Sequence, residues 1–317
     1  MKKILTTCLL ITCLLLTSCG STQPQTSTSD VSDKTYTFTD DLGRTVTVDN
    51  PQHVAALLGS FAQIWMLAGG EICATADDAW DDLQLDLPDE AVNLGNTKEL
   101  NLELLLAAEP DFILASTNTR QNVEWQETLE ATNIPTAYFD ISDFDDYLRL
   151  LSICTDITSQ KELYQTNGLD VQEQIETVIE TRNQWLKNHD APKVLSMVAS
   201  ASNVYAKNSQ NNVLGEMLQN LGCINIADSD NTLLENLSIE HILQENPDYI
   251  FIVQRGDDTE GTKARVEQLF AENPAWSQLD AVKNDRVYFM EKNLYNLKPN
   301  HRWGEAYEKL EEILSHD

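Results

Sequence analysis

Glu103 and Glu240 occupy the same place in two copies of one motif. Asn101 to Ala115 reads NLELLLAAEPDFILA and Ser238 to Ile252 reads SIEHILQENPDYIFI. A constant offset of 137 residues superimposes Glu103 on Glu240, Leu106 on Leu243, Pro110 on Pro247, Asp111 on Asp248 and Ile113 on Ile250. A glutamate there falls in the first turn of a helix, where the positive end of the dipole favours it by about 0.3–1 kcal/mol. The other reactive side chains do not assemble. His53, His189, His241, His301 and His316 are scattered, and no G-x-S-x-G elbow, Walker loop or H-E-x-x-H run occurs. Beyond residue 19 the cysteines are Cys73, Cys154 and Cys223, widely spaced and without a C-x-x-C pair. They spell neither a disulfide framework nor a zinc site and read as small buried apolar residues. With no nucleophile beside a base, no catalytic residue is expected.

The elements that carry the two glutamates follow from the motif itself. Asn101 and Ser238 can each cap a helix by accepting from its free amides. The residue before proline is pushed out of the α region, so each helix stops at Pro110 or Pro247. FILA and YIFIV then follow, apolar on both faces as buried parallel strands are. Further β-rich runs are expected at Tyr36–Phe38 and Thr45–Val48, with Gly43 in the turn between them, and at His53–Leu58 and Ile72–Thr75. Later runs lie at Lys193–Val198, Val204–Ala206 and Arg286–Met290. A parallel sheet binds ligands at the carboxyl ends of its strands. Gly59 to Phe61, Asp77 to Trp80 and Ser116 to Arg120 are therefore the first-half loops of interest. Val171, Ile175, Val178, Arg182 and Trp185 form one stripe of a helix from about Tyr164 to Lys187, with Gly168 near its start and Pro192 after its end. At about 1.5 Å per residue that rod is roughly 40 Å long, and it sits between the two copies of the motif.

The 317 residues favour two domains over one, and 42% hydrophobic with 23% charged residues is ordinary for a globular protein. The net charge of −30 excludes nucleic acid as a natural partner and disfavours anionic headgroups. Lys2 and Lys3 precede a 13-residue apolar run, Ile4 to Leu16, too short to span a bilayer and laid out as a secretory signal. Leu16-Thr17-Ser18-Cys19 followed by Gly20 resembles the bacterial lipoprotein box, which implies a lipidated Cys19 as the mature N-terminus. Gly20 to Asp33 is polar enough to be a flexible tether.

Read as a whole, the chain resembles the substrate-binding lipoproteins of ABC importers for iron–siderophores, haem and cobalamin. The resemblance runs from about Tyr36 to Leu314. It rests on TDDLGRTVTV followed by HVAALLGS, the paired NLE and SIE helices, NPAWSQLDAVKNDRVYFM and LYNLKPNHRWGEAYEKL. It implies an α/β fold of two Rossmann-like lobes, each with a central β-sheet, joined by a single long α-helix over a ligand cleft. The expected divisions are a signal peptide at 1–18, lipidated cysteine and tether at 19–34, and lobes at 35–160 and 191–317 joined by a helix at 161–190. The resemblance also implies that Glu103 and Glu240 protrude, one per lobe, to pair with arginines of an ABC permease.

For the cleft, the candidates are Ser60, Phe61, Trp80, Asn96, Arg120, Tyr205, Arg255, Tyr295, Lys298 and Arg302. Aromatics there would stack on a flat ligand and cations would meet its anionic groups. The cargo expected is a small-molecule metal chelate: a ferric siderophore, haem or cobalamin. Haem would take an axial ligand from Tyr295, Tyr205 or His301. No resident cofactor and no protein metal site is expected. The chain would be a monomer on the outer or periplasmic side of the cell membrane, attached through its lipid alone. Alternatives are a relative that binds bare zinc or manganese, a metal- or tetrapyrrole-handling enzyme on the same scaffold, and a surface adhesion protein.

Overall fold

The computed structural model describes residues 35–229, 233–234 and 237–315. The signal segment 1–18, Cys19, the tether and His316 lie outside the described residues. The chain from Lys34 to Asp317 is one compact unit, and the other unit, Met1–Asp33, lies outside them too.

A hairpin leads the compact unit. β1 (Thr35–Thr39) and β2 (Thr45–Asp49) pair antiparallel, and Gly43 makes their turn at φ +73°, a conformation that glycine adopts without strain. Asp40 accepts from the amides of Leu42 and Arg44 and from Tyr138 N at 3.2 Å, which fastens the hairpin to the first sheet.

That sheet is wholly parallel, in the order β5-β4-β3-β6-β7. Its strands are β3 (Val54–Ala56), β4 (Ile72–Thr75), β5 (Val92–Asn93), β6 (Phe112–Ser116) and β7 (Thr136–Phe139). Between them run α1 (Gly59–Leu67), α2 (Asp78–Asp81), α3 (Leu102–Ala107), α4 (Arg120–Glu124) and α5 (Gln126–Ala131). α6 (Phe144–Thr158) follows, capped by Asp143 and packed through nine buried residues; its pattern escaped the sequence reading. α2 also forms where a strand-end loop, Asp77 to Trp80, was expected.

The expected rod is a helix with a flaw. α7 (Lys161–Tyr164) passes through a π turn at Gln165–Leu169 into α8 (Asp170–Leu186). Gly168 lies in that turn, where a Cβ would come within 3.0 Å of Leu148 and 3.2 Å of Leu151. Close packing on α6 thus accounts for the glycine and coincides with the widened turn.

The second sheet holds β8 (Lys193–Ala199), β10 (Ile224–Asn225), β11 (Tyr249–Gln254) and β12 (Val287–Met290) in parallel, in the order β10-β8-β11-β12. β9 (Val204–Lys207) departs from the parallel expectation, since it pairs antiparallel with the end of β8. A four-residue link between β8 and β9 leaves no room for a crossover helix. Its helices are α9 (Val213–Asn220), α10 (Ile239–Glu245), α11 (Thr259–Glu272), α12 (Asp280–Lys283), α13 (Lys292–Tyr295) and α14 (Trp303–Ser315).

The motif repeat is a structural repeat. Asn101 accepts from Leu104 N and Ser238 from His241 N, each capping its helix. Glu109 and Asn246, the residues before the two prolines, leave the helix with φ of 47° and 46° rather than by extending. Asp111 then accepts from the amides of Gln52 and His53 at 2.7 and 3.0 Å, and Asp248 from Lys193 N at 2.8 Å. Each aspartate therefore holds the neighbouring strand, β3 or β8, in register. One apolar core runs from Phe112 and Leu114 through Val171 and Ile175 to Phe251 and Trp303, and a smaller core lies on the other face of each sheet.

Candidate functional site

The parallel strands of both sheets end on one cleft of about 1070 Å³. From the first half come Asp77, Asp78, Asp81 and Asp82 around α2, followed by Asn96, Thr97 and Lys98 after β5. From the second come Gln254 to Asp257 after β11, Thr259, Thr262 and Lys263 on α11, Phe289 to Asn293 around the end of β12, and Asn296, Leu297 and Arg302. Strand ends supply most of this lining because parallel strands with helical crossovers leave their carboxyl-terminal loops free on one side.

The two walls differ in charge. Four aspartates stand on the first, and burial pushes the Asp78 carboxyl up to about 6, helped by Asp77 and Asp82 although Gly59 N–H donates to it at 2.9 Å. Arg255, Lys263, Lys292 and Arg302 stand on the second. Arg302 is taken by Glu305 at 2.7 Å, and Lys292 by Asp82 and Asp257. Burial alone would lower the Lys292 pKa, but those carboxylates raise it. Arg255 is different. Its Nη1 donates to Tyr205 Oη at 3.3 Å, and among the described residues no carboxylate pairs with it. Nor does one pair with the exposed Lys98 of the opposite wall. The cleft therefore offers an unneutralised cation on each side, in a setting with one exposed aromatic, Phe289.

Of the ten candidate ligand residues, Asn96, Arg255 and Arg302 line the cleft, and Tyr205 stands behind Arg255. Phe61 is a correction: it packs inside the core, because α1 turns that face onto the sheet. Tyr295 is another, since it is buried with its hydroxyl donating to Ala306 O at 3.0 Å. Arg120 stands 90% exposed outside the lining, paired with Glu124. Ser60 is buried, its carbonyl held by Asn300 Nδ2 at 3.0 Å. Trp80 is half-buried outside the lining. Lys298 is also outside it; burial pulls its pKa down, with Asp140 and Asp146 opposing. Lys98, Lys292 and Asp82 were missed. Lys292 stands two residues past β12, a strand end whose position the sequence did contain.

For haem, none of the residues lining the cleft among those described is a tyrosine, histidine or cysteine, and its one thioether, Met290, is nearly buried. Among the described residues no group of three His, Cys, Asp or Glu side chains could hold a metal ion. No described helix is long and apolar enough to cross a membrane. Glu103 and Glu240 are both exposed, and Cys154 and Cys223 are buried.

Comparison with known proteins places these features in context. The sequence profile described as "Periplasmic binding protein" matches residues 54–294. The chain is 26% identical to the "Iron-uptake system-binding protein" of Bacillus subtilis, over 98% of this chain and 96% of that one. It is 26% identical to the "Fe(3+)-citrate-binding protein YfmC" of the same organism, over 88% of this chain and 86% of that one. The crystal structure of the petrobactin-binding protein YclQ from Bacillus subtilis superposes with a TM-score of 0.71 at 19% identity, covering 89% of this chain and 99% of that one.

Proposed function

Because this chain belongs to the periplasmic binding protein family, we propose that it captures an anionic ferric chelate of the siderophore type in its cleft and hands it to the permease of an ABC importer. One observation carries the choice of cargo. Arg255 and Lys98 stand on opposite walls of a 1070 Å³ cleft with no carboxylate partner among the described residues. Cations held this way favour an anionic guest, because its binding neutralises charge without first breaking an ion pair. The names of two relatives, for iron uptake and ferric citrate, point the same way. Haem and cobalamin are flatter or bulkier and less charged, and the lining gives haem no tyrosine or histidine among the described residues.

The protein binds and releases its cargo without altering it. Cys19 carries the lipid that keeps it, as a monomer, on the outer or periplasmic face of the membrane. The lobes divide at 35–160 and 191–317 around the connecting segment 161–190, and Glu103 and Glu240, one on each, meet the permease.

Native mass spectrometry with absorbance spectra tests the cargo, after incubation with haem, cobalamin, ferric citrate and ferric siderophores in turn. One ferric chelate per chain is expected. Stoichiometric haem or cobalamin overturns the assignment. So does a naked zinc or manganese ion retained after equilibrium dialysis.

A further inference from the structure

The two helices that carry Glu103 and Glu240 match in position but not in surface. On α3 the packing is done by Leu105, which is fully buried, while Leu104 and Leu106 stand 41% and 37% exposed. At 100° per residue Leu104 lies about 100° round the helix from Glu103 and Leu106 about 60° the other way. The carboxylate thus rises between two exposed aliphatic side chains, with exposed Ala107 on the next turn beneath it. Val123, 44% exposed, stands on α4, which Gln121 ties to the start of α3 through Leu100 N at 2.6 Å and Leu100 O at 3.0 Å. Three of the six large apolar side chains exposed among the described residues therefore belong to these two short helices.

On α10 the equivalent positions are His241, Leu243 and Gln244. His241 and Leu243 are half-buried and Gln244 is exposed, so no exposed aliphatic pair frames Glu240. A carboxylate in an aliphatic collar pairs best with a base presented from an equally apolar surface, since the collar excludes water from the pair and weakens screening. A carboxylate among polar side chains needs no such partner.

We propose that Glu103 and its collar fit a basic side chain set in an aliphatic surface of the permease, while Glu240 meets a polar one, so that the protein docks in a single orientation on two non-identical permease halves. This rests on the reading of both glutamates as docking residues.

The test measures binding of the chelate-loaded protein to the importer's permease in nanodiscs, at low and high salt. Leu104→Asn with Leu106→Asn is expected to weaken binding at least tenfold at both salt concentrations, because apolar burial is not screened. Glu103→Gln and Glu240→Gln should weaken it chiefly at low salt. Unchanged chelate affinity and melting temperature confirm that the exposed leucines were not needed for folding. Wild-type binding by the leucine variant, with both glutamine variants impaired, overturns the collar and leaves the docking residues standing. Wild-type binding by all three overturns both. A permease made of two identical subunits also overturns the single orientation.

Discussion

Lys292 meets Asp82 across the cleft, its Nζ 2.7 Å from Oδ1 and 2.9 Å from Oδ2, while holding Asp257 of its own half at 2.6 Å. Asn293 adds a bond to Asp82 O at 2.8 Å. Together they make a polar tie between the two cleft walls, and the π turn at Gln165–Leu169 is the irregular point of the connecting helix.

Replacing Lys292 with methionine should cost about 1–2 kcal/mol, because two carboxylates lose their cation in a partly enclosed setting. It should also widen the distribution of lobe separations in small-angle scattering or in a two-label distance measurement. The sign with pH follows from a raised lysine pKa. The tie is fully present below the ordinary lysine value and is lost as pH rises through the higher folded value. Unchanged stability and lobe separation in the variant would show that the tie is incidental.

Asp78 should make the protein more stable in mild acid than the rest of its carboxylates would. Its folded pKa, about 6, lies above the unfolded value of 3.8, so the folded state binds the extra proton between those limits. This group's contribution therefore improves as pH falls from about 7 to about 4, by about 2 kcal/mol. Asp78→Asn, which can still accept from Gly59 N, should melt at or above the wild type at pH 7.5 and lose the acid-side gain. Differential scanning calorimetry across pH 4–8 reads both.

Gly59 sits where a Cβ would meet Ala79 N at 2.6 Å and Ala79 Cα at 2.8 Å. Backbone cannot swing aside as a side chain can, so Gly59→Ala must push α2 away from α1. A loss of about 1–3 kcal/mol is expected, with weaker chelate binding because α2 shapes one wall of the cleft. Chelate affinity at the wild-type level would mean that α2 is free to move without consequence.

Arg182, 1% exposed, donates to Leu221 O and Leu314 O, each at 3.3 Å, lies 4.0 Å over the Trp185 ring, and faces Glu311 at 3.8 Å. One buried cation therefore serves the carboxyl ends of α9 and α14, where helix dipoles favour positive charge. Arg182→Met should cost about 3 kcal/mol and lower the melting temperature by roughly 5–10 °C, leaving chelate affinity untouched. Adding Glu311→Met should recover part of that loss, and a strictly additive double variant would rule out coupling.

Glu103→Lys combined with Glu240→Lys should abolish import of the ferric chelate by cells while the purified variant folds and binds the chelate normally. Both side chains are exposed, so folding is not at stake. Import at the wild-type rate would remove their docking role.

Local chemistry made much of the fold legible. Caps at Asn101 and Ser238, the stops at Pro110 and Pro247 and the apolar runs after them depend on neighbours within a turn or two, and a 137-residue offset exposes them twice. α6 was missed because its Asp145, Asp146, Arg149 and Asp156 dilute an apolar stripe that only the first sheet and α1 reveal. The π turn was beyond reach as well, since Gly168 signals weakness but not the approach of Leu148 and Leu151 that coincides with it.

The sequence alone determined the α/β class, the duplicated motif and the residues after β11 that reach the cleft, because each follows from backbone geometry over short distances. Which side chains face the cleft was decided only in three dimensions. Phe61 and Arg120 stand in the first turn of a helix that follows a strand, just as Asp78 does, yet one is folded under and one turned outward. Lys292 and Asp82, 210 residues apart, become partners only when the two halves fold around their shared core, since no local pattern links positions so distant in the chain.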